Sequence, residues 1–379
     1  MRVGIVTFHW AYNYGAVLQA YALAQEVARL GHQVEFIDYN PFTDATRLND
    51  GRRKFGIRKG ALRRRANKLY KRIKNYNLAR KHARAFHQGF DSFRREWLVG
   101  SGNRELDQTD YDVVIVGSDQ VWNASWIGKC ISYYYLEDFP RSRKVSYAAC
   151  VGNTNQPVEY EGRIKVLLER FDDISVRNNV SREYVRSLTG NNPPIVCDPT
   201  ILHDFDAFKV KPERLESIPQ EYILMYALDQ SIKKLGHEII KKIKSEIDLP
   251  VVSISSVFHT GWSFKPTDHV LYDTTPAEWI WLFHNAAFIC TDSFHGLVFS
   301  IKNRKPFVGF CSDGWRSFRL SDIADNFDLG DFLVRPAEIG KLEEAVKRRA
   351  DYHQVFTRVA DEVESSRQFL EKALRSPDV

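Results

Sequence analysis

Short apolar runs that alternate with amphipathic segments are the feature that most constrains the fold of this 379-residue chain. Val113-Val-Ile-Val116 and Ala286-Ala-Phe-Ile-Cys290 are two of these runs, and a polar segment containing glycine follows each of them. Continuous apolar runs of this length are typical of parallel strands that are buried on both faces. Strands that alternate with helices predict parallel sheets covered by helices, and therefore an α/β fold.

The predicted strands fall into two series, which indicates two Rossmann-like domains with a cleft between them. The periodicity breaks near residues 205–220, where Val210-Lys-Pro-Glu-Arg214 interrupts the pattern. We predict an N-terminal α/β domain over 1–210 with a basic helical insertion at 51–95, a C-terminal α/β domain over 211–340, and closing helices over 341–379. Within these domains we also predict a strand over 194–199 and one unbroken helix over 231–247.

The composition favours a cytoplasmic globular protein. Hydrophobic residues make up 44% of the chain, which is enough for full-sized cores. The five cysteines are far apart and none forms a CxxC pair, so we expect buried free thiols in a reducing compartment. The N-terminus begins a strand at once, and the longest apolar stretch contains His284 and Asn285. We therefore predict neither a signal peptide nor a membrane helix.

The positive charge is concentrated in one segment. Residues 51–85 carry 15 Lys or Arg and no acidic residue, whereas the net charge of the whole chain is +6. The rest of the chain is therefore acidic, and the segment predicts an anionic partner or surface. The segment has few aromatic residues for base stacking and no RNA-recognition motif, so we expect no nucleic acid partner. A protein that binds RNA or another anionic polymer through residues 51–85 remains an alternative.

Four polar clusters follow predicted strands at their carboxyl ends. The carboxyl ends of parallel strands meet at one edge of a sheet, where α/β proteins bind their ligands. Each cluster alone could be a turn or a helix cap. Four of them at such edges favour a binding site. The clusters are Asn13-Tyr-Gly-Ala-Val-Leu-Gln19, Gly117-Ser-Asp-Gln-Val-Trp-Asn123, Ser175-Val-Arg-Asn178 and Thr291-Asp-Ser-Phe-His-Gly296.

The sequence predicts chemistry without a metal or a bound cofactor. The first strand is not followed by GxGxxG, there is no Walker A lysine, and no His, Cys or Asp cluster has metal-ligand spacing. His295 is a candidate catalytic residue, with a histidine of the core as the alternative. Arg177 is a candidate fork for a carboxylate or phosphate. Arg316 and Arg319 lie one turn apart and are candidates for a second anion site, with a solvated helix face as the alternative.

Together, these motifs resemble the polysaccharide pyruvyl transferase family. The resemblance also includes Ser146-Tyr-Ala-Ala149 and Cys197-Asp-Pro-Thr200, and the motifs occur in order along residues 1–330. It implies a fold similar to the GT-B arrangement of glycosyltransferases. It also implies an enzyme that moves the enolpyruvyl group of phosphoenolpyruvate onto two hydroxyls of a sugar. The sugar would belong to a cell-surface polysaccharide or its lipid-linked precursor, and the products would be a pyruvate ketal and phosphate.

The resemblance and the expected chemistry assign roles to individual residues. His295 matches the family's catalytic histidine, and protonation of the methylene carbon of phosphoenolpyruvate needs such a general acid. The resemblance implies that Arg177 matches an arginine that holds phosphoenolpyruvate, and Asp119 is our candidate for the base. Helix N-termini and cations are expected around the anionic donor. The donor-binding candidates are therefore Arg177, Ser293, Gly296, Arg316 and Arg319. The acceptor-binding candidates are Asn13, Gly15, Gln19, Ser118 and Gln120.

A GT-B nucleotide-sugar glycosyltransferase is the alternative enzyme, because it shares the architecture and differs in the donor. The basic insertion departs from many members of the family. It predicts an acceptor that is met at an anionic surface, such as a sugar on a polyprenyl pyrophosphate. The protein would then be peripheral at the inner face of the plasma membrane.

Overall fold

A computed structural model describes residues 1–37, 81–98, 111–255, 267–312 and 315–375, apart from the side chains of Lys129, Gln230 and residues 315–319. Within these residues the strands form two sheets, and every pairing between neighbouring strands is parallel. The α/β class predicted from the alternating pattern is therefore confirmed. Most of the basic segment at 51–85 lies outside the described residues.

The first sheet has five strands in the order β2-β1-β3-β4-β5. Every residue of β3 is buried, as expected for a central parallel strand covered by helices on both faces. The strands are β1 (Arg2–Val6), β2 (Gln33–Phe36), β3 (Val113–Val116), β4 (Arg143–Ala149) and β5 (Asp173–Val176).

The second sheet has six strands in the order β11-β10-β9-β6-β7-β8. Its central strands, β6 and β9, are buried throughout. The strands are β6 (Ile223–Tyr226), β7 (Val251–Ile254), β8 (His269–Leu271), β9 (Phe288–Thr291), β10 (Phe307–Phe310) and β11 (Leu333–Val334).

Helices cover both sheets and connect the strands. In the first half they are α1 (Tyr14–Arg29), α2 (81–97), α3 (Ala124–Ile127), α4 (Ile131–Tyr134), α5 (Glu161–Leu168), α6 (Asn179–Thr189) and α7 (Pro199–Leu202). In the second half they are α8 (Gln230–Lys234), α9 (Gly236–Lys244), α10 (Pro276–Asn285), α11 (Phe294–Lys302), α12 (Trp315–Asn326), α13 (Leu342–Lys347) and α14 (Tyr352–Ala373).

Helix α1 lies between the two halves. Its start is fixed by Asn13, whose side chain accepts a hydrogen bond from the backbone N–H of Ala16 at 3.2 Å. The hydroxyl of Tyr14 donates to the carbonyl of Thr274 at 2.8 Å, which ties the start of α1 to the loop before α10. The chain leaves the helix through Gly31, whose φ of 84° suits a residue without a side chain.

Helix α14 brings the C-terminal end of the described chain back onto the first half. The backbone N–H of Cys197 donates to Ser366 Oγ at 2.9 Å. The guanidinium of Arg367 donates to Glu26 Oε2 of α1 at 3.2 Å. The last helix therefore packs against the segment that leads into α7.

Two predicted elements are wrong in detail. Residues 194–199 form no strand, because Asp198 caps α7, and only an isolated bridge joins Ile195 to Val176. The predicted helix over 231–247 is two helices, α8 and α9, which meet at Leu235 and Gly236. Glycine is a poor helix former, and the backbone of Leu235 departs from helical geometry at this junction. The predicted domain boundaries stay predictions.

Candidate active site

The carboxyl ends of the two sheets face each other. Arg177 directly follows β5 of the first sheet, and Phe294 begins α11 just after β9 of the second. The guanidinium carbon of Arg177 lies 4.6 Å from the centre of the Phe294 ring, a cation–π contact between the two halves. The polar clusters that follow β5 and β9 therefore meet at one place.

His295 lies in the first turn of α11 and is only 7% exposed. Ser293 fixes the start of this helix, since its side chain accepts a hydrogen bond from Gly296 N at 3.3 Å. One edge of the imidazole packs on Gly15 at the start of α1, where a Cβ atom would overlap Nδ1 of His295. Glycine is needed there, because any side chain would displace the ring.

The carboxylate of Asp198 lies at the centre of the site, and its side chain is fully buried. Oδ2 accepts hydrogen bonds from Ser118 Oγ at 2.9 Å and from Arg177 Nη1 at 3.1 Å. The same oxygen lies 3.7 Å from Nε2 of His295, which is an ion-pair distance rather than a hydrogen bond. Oδ1 accepts from the backbone N–H and the hydroxyl of Thr200, at 3.0 and 2.7 Å. One side chain therefore contacts four segments of the chain.

The charges of this cluster stabilise one another. Burial acts to raise the pKa of Asp198, but His295, Arg177 and Thr200 outweigh it and hold the pKa well below its usual range. Burial acts to lower the pKa of Arg177, but Cys150, Asp198 and Asp119 together raise it above its usual value. Asp198 is therefore an anion and Arg177 a cation at neutral pH.

Two buried nitrogen atoms next to Asp198 have no hydrogen-bond partner among the described residues. They are Nη2 of Arg177 and Nε2 of His295. A buried polar group without a partner costs about 1–3 kcal/mol, and a charged one costs more. Native structures rarely keep such groups without a reason. Here two such nitrogen atoms belong to residues that both approach Oδ2 of Asp198. They indicate a site for a ligand with oxygen atoms that form hydrogen bonds.

Three of the predicted acceptor-binding residues are buried in hydrogen bonds within the protein. Gln19 Nε2 donates to Thr7 Oγ1 at 2.8 Å, and that hydroxyl donates to the carbonyl of Ser118 at 3.1 Å. Gln120 Oε1 accepts from Asn123 Nδ2 at 3.1 Å. Thr7 and Ser118 thereby join the loops that follow β1 and β3, and Ser118 Oγ donates to Asp198. Contact of Gln19, Ser118 and Gln120 with an acceptor remains a prediction.

Asp119 lies beside this cluster. It is half-buried, its φ of 75° is in the left-handed region, and its Oδ1 accepts from Gln120 N at 2.9 Å. It is close enough to Arg177 to raise the pKa of that guanidinium. The structure therefore brings Asp119 to the site, and its role as a base remains a prediction.

Of the remaining predicted residues, two lie at the starts of α1 and α11, and two have side chains outside the described ones. Asn13 is exposed where it caps α1. Gly296 packs on Thr291, where a Cβ atom would overlap the hydroxyl oxygen, so α11 starts directly against β9. The side chains of Arg316 and Arg319 are outside the described ones, although their backbone belongs to α12. Their part in anion binding remains a prediction.

Sequence reasoning assigned no role to Asp198, Phe294 or Asp322. Asp198 lies in the motif Cys197-Asp-Pro-Thr200, where Asp before Pro is the pattern of a helix N-cap. Phe294 lay inside a cluster, but nothing in the sequence marks a cation–π partner. Asp322 belongs to α12, and no pattern connects it with Arg177.

A small cavity of about 20 Å³ adjoins the cluster. Arg177, Asp198, Phe294, Asp322 and Glu362 are among the residues that line it. This volume has room for about one water molecule, so a larger ligand requires the walls to move apart. Burial raises the pKa of Asp322 to about 6, and burial together with Asp322 raises the pKa of Glu362 to about 7.

Several solved structures share this arrangement of two α/β sheets. UDP-GlcNAc 2-epimerase from Methanocaldococcus jannaschii is 11% identical, with a TM-score of 0.54 over 98% of this chain and 99% of that chain. An S. aureus MnaA–UDP structure is 12% identical, with a TM-score of 0.50 over 97% and 94%. At these identities the likeness shows the fold alone. The protein has two Rossmann-like domains in a GT-B-like arrangement with a central cleft, as predicted.

A sequence profile of the polysaccharide pyruvyl transferase family matches residues 13–313, which is most of the chain. The chain belongs to this family of transferases, and the resemblance between the motifs is confirmed. The matched region contains Arg177, Asp198 and His295. No curated protein sequence matches the chain. Among the described residues, no helix is both long enough and apolar enough to cross a bilayer.

Proposed function

We propose that this protein transfers the enolpyruvyl group of phosphoenolpyruvate onto two hydroxyls of one sugar, forming a pyruvate ketal and releasing phosphate. Its main support is the pair of buried nitrogen atoms, Nη2 of Arg177 and Nε2 of His295, that lack partners among the described residues. A cation and an imidazole beside one carboxylate offer an anion site and a proton donor together. Phosphoenolpyruvate needs both, because it is anionic and reacts through protonation of carbon.

In the proposed reaction Arg177 binds an anionic group of the donor, and His295 donates a proton to the methylene carbon. The electron pair of the double bond forms the new C–H bond, so positive charge develops on the neighbouring carbon. One sugar hydroxyl attacks this carbon, and Asp119 accepts the hydroxyl proton. The second hydroxyl then attacks while the C–O bond to phosphate breaks. Its proton returns to His295, and the proton on Asp119 leaves with phosphate.

The acceptor in this proposal is a sugar of a cell-surface polysaccharide or of its lipid-linked precursor. The reaction as written needs no other cofactor, because the chain supplies the proton donor and the anion site. The family to which the chain belongs is named for this acceptor class. Residues 51–85, with 15 cations and no acid, favour a lipid-linked acceptor at an anionic membrane face.

The direct test is incubation of the protein with phosphoenolpyruvate and a panel of sugars, with phosphate release and product mass as readouts. We expect phosphate release that depends on the sugar. The product should gain the mass of one pyruvic acid less one water. Transfer of a hexose from a nucleotide sugar, without consumption of phosphoenolpyruvate, would instead identify the glycosyltransferase alternative.

His295 provides the sharpest test of the chemistry. We expect His295→Gln and His295→Ala to lower turnover by roughly 10²-fold or more, the usual scale for a general acid. The thermal midpoint should stay near that of the wild type. His353→Gln, at an exposed histidine of α14, is the matched control and should keep full turnover. If His295→Ala unfolds or keeps more than about a tenth of the activity, His295 is a core histidine.

A further inference from the structure

The carboxylate of Asp198 divides its two oxygen atoms between two tasks. Oδ1 caps α7 by accepting two hydrogen bonds from Thr200. Oδ2 turns away from this helix and contacts Ser118, Arg177 and His295 at 2.9, 3.1 and 3.7 Å. An aspartate that served only as an N-cap would need Oδ1 alone. The contacts of Oδ2 therefore require another explanation.

The residues around Oδ2 come from both halves of the molecule. Ser118 follows β3, and Arg177 follows β5 in the first sheet, whereas His295 begins α11 after β9 in the second. The side chain of Asp198 is 0% exposed, against 4% for Arg177 and 9% for His295. Its neighbours carry the nitrogen atoms without a hydrogen-bond partner, whereas both oxygen atoms of Asp198 already accept hydrogen bonds within the protein.

We propose that Asp198 is the positioning residue of this site, holding Arg177 and His295 together across the cleft without contacting the substrate. This rests on the proposed function. The physical reason is charge. Arg177 and a protonated His295 repel each other, and an anion between them allows both to approach one donor. Arg177 keeps Nη2 for the donor because Nη1 is bound to Asp198.

This role predicts a separation between turnover and binding. Without the negative charge, Arg177 attracts an anionic donor at least as strongly as before. The imidazole, however, loses its fixed distance from the guanidinium. Misplacement of a catalytic group by about 1 Å can cost on the order of 10²-fold in rate. A residue that only stabilised the fold would lower the thermal midpoint, donor binding and turnover together.

The experiment compares Asp198→Asn with Thr200→Val, which keeps the charge but removes one anchor of Oδ1. We expect Asp198→Asn to lower kcat roughly 10²-fold while binding phosphoenolpyruvate and inorganic phosphate, by calorimetry, within about threefold of the wild type or tighter. Thr200→Val should show a smaller loss of kcat of the same kind. Arg177→Lys is the contrasting variant, because it should weaken the binding of both anions.

Four results would overturn the proposal. The first is an Asp198→Asn variant that keeps more than about a tenth of the wild-type kcat, and the second is an Asp198→Asn variant whose anion binding falls in step with its kcat. The third, which applies if Asp198→Asn does not fold, is an unchanged kcat in Thr200→Val. The fourth is a wild-type protein that binds neither anion. A wild type that releases no phosphate refutes the proposed function only. Phosphate binding then still decides the positioning role, since Asp198→Asn must keep it while Arg177→Lys weakens it.

Discussion

Gly15 and His295 show how closely two helix starts approach each other in this site. The ring of His295 fills the space that a side chain at residue 15 would occupy, so α1 and α11 meet through an imidazole and a bare backbone. Both helix N-termini carry partial positive charge, which favours an anionic ligand nearby. The position of the ring thus depends on the absence of one Cβ atom.

We expect Gly15→Ala to displace His295 and to lower turnover at least about tenfold, because overpacking forces side chains or backbone to shift at a cost of roughly 1–3 kcal/mol. Steady-state kinetics and the thermal midpoint measure the two effects. Gly162→Ala in α5 is the matched control, since a Cβ atom there has nothing within 4 Å. It should leave turnover unchanged. Full activity in Gly15→Ala would show that the ring does not need its present place.

We expect Arg177 to act through the geometry of its guanidinium group, which can bind two partners at once, as well as through its charge. Lysine keeps the charge but cannot make Nη1 contact Asp198 while Nη2 contacts a donor. We expect Arg177→Lys to raise the KM for phosphoenolpyruvate roughly tenfold or more and that for the sugar much less, as for the loss of a charged hydrogen bond. Arg186→Lys, at an exposed position of α6, should change neither constant. Equal effects on both constants would assign Arg177 a structural role.

The sequence predicted the residues at strand ends but not the residue between them. His295 and Arg177 lie at the carboxyl ends of predicted strands, and these ends of parallel strands meet at one edge of a sheet. Asp198 follows a segment that forms only an isolated bridge, and its partner Ser118 is 80 residues away in the chain. No local pattern encodes that distance. A buried carboxylate that serves four segments is therefore visible only after the chain has folded.

At the scale of elements, α12 and α14 bring two carboxyl groups to the back of the site. Asp322 of α12 and Glu362 of α14 line the same small cavity as Arg177 and Asp198. Burial is the main cause of the raised pKa of each, to about 6 and about 7. Ionising these two half-buried carboxyl groups costs free energy, so their contribution to the stability of the fold depends on pH.

We expect Glu362→Gln to stabilise the protein at alkaline pH. The folded-state pKa of Glu362 is about 7, above the ordinary 4.5, so its contribution is most favourable below about pH 4.5 and declines as the pH rises to about 7. Glutamine does not titrate. The free energy of unfolding should therefore exceed that of the wild type by on the order of 1 kcal/mol at about pH 8 and differ less at about pH 5.

Denaturant unfolding at both pH values measures this difference. Glu364→Gln, at an exposed position of the same helix, is the matched control and should show no such dependence. A stability difference between Glu362→Gln and the wild type that does not change with pH would mean that Glu362 titrates normally.

Short edge elements such as β11, with two residues, were not predicted, because so few residues leave no periodic signal.

At the scale of the whole molecule, α2 contains residues 81–85 of the basic segment and contacts both halves. Phe90 of α2 packs against Tyr14 of the first half, with ring centres 5.1 Å apart. His82 of the same helix contacts Asp273 of the second half, with Nδ1 3.1 Å from Oδ2. Lys81 and Arg84 are exposed on this helix. An anionic surface that met Lys81 and Arg84 would lie on the helix whose Phe90 packs against Tyr14, the residue next to Gly15.

We therefore expect reversible, salt-sensitive binding of the protein to anionic vesicles. Each basic residue near such a surface contributes about 1 kcal/mol at most, so six can hold a protein there at low salt. Co-sedimentation should be stronger with anionic than with neutral vesicles and should fall as salt rises. It should be lost on changing Arg63, Arg64, Lys68, Lys71, Arg72 and Lys74 to Gln. The matched control changes six exposed basic residues elsewhere, Arg163, Lys165, Arg170, Arg186, Lys209 and Lys347, and should still bind. Equal loss of vesicle binding in both variants would mean that only the net charge of the protein matters. If the wild type shows no preference for anionic vesicles, the proposed membrane binding is wrong, but the proposed pyruvyl transfer is unaffected.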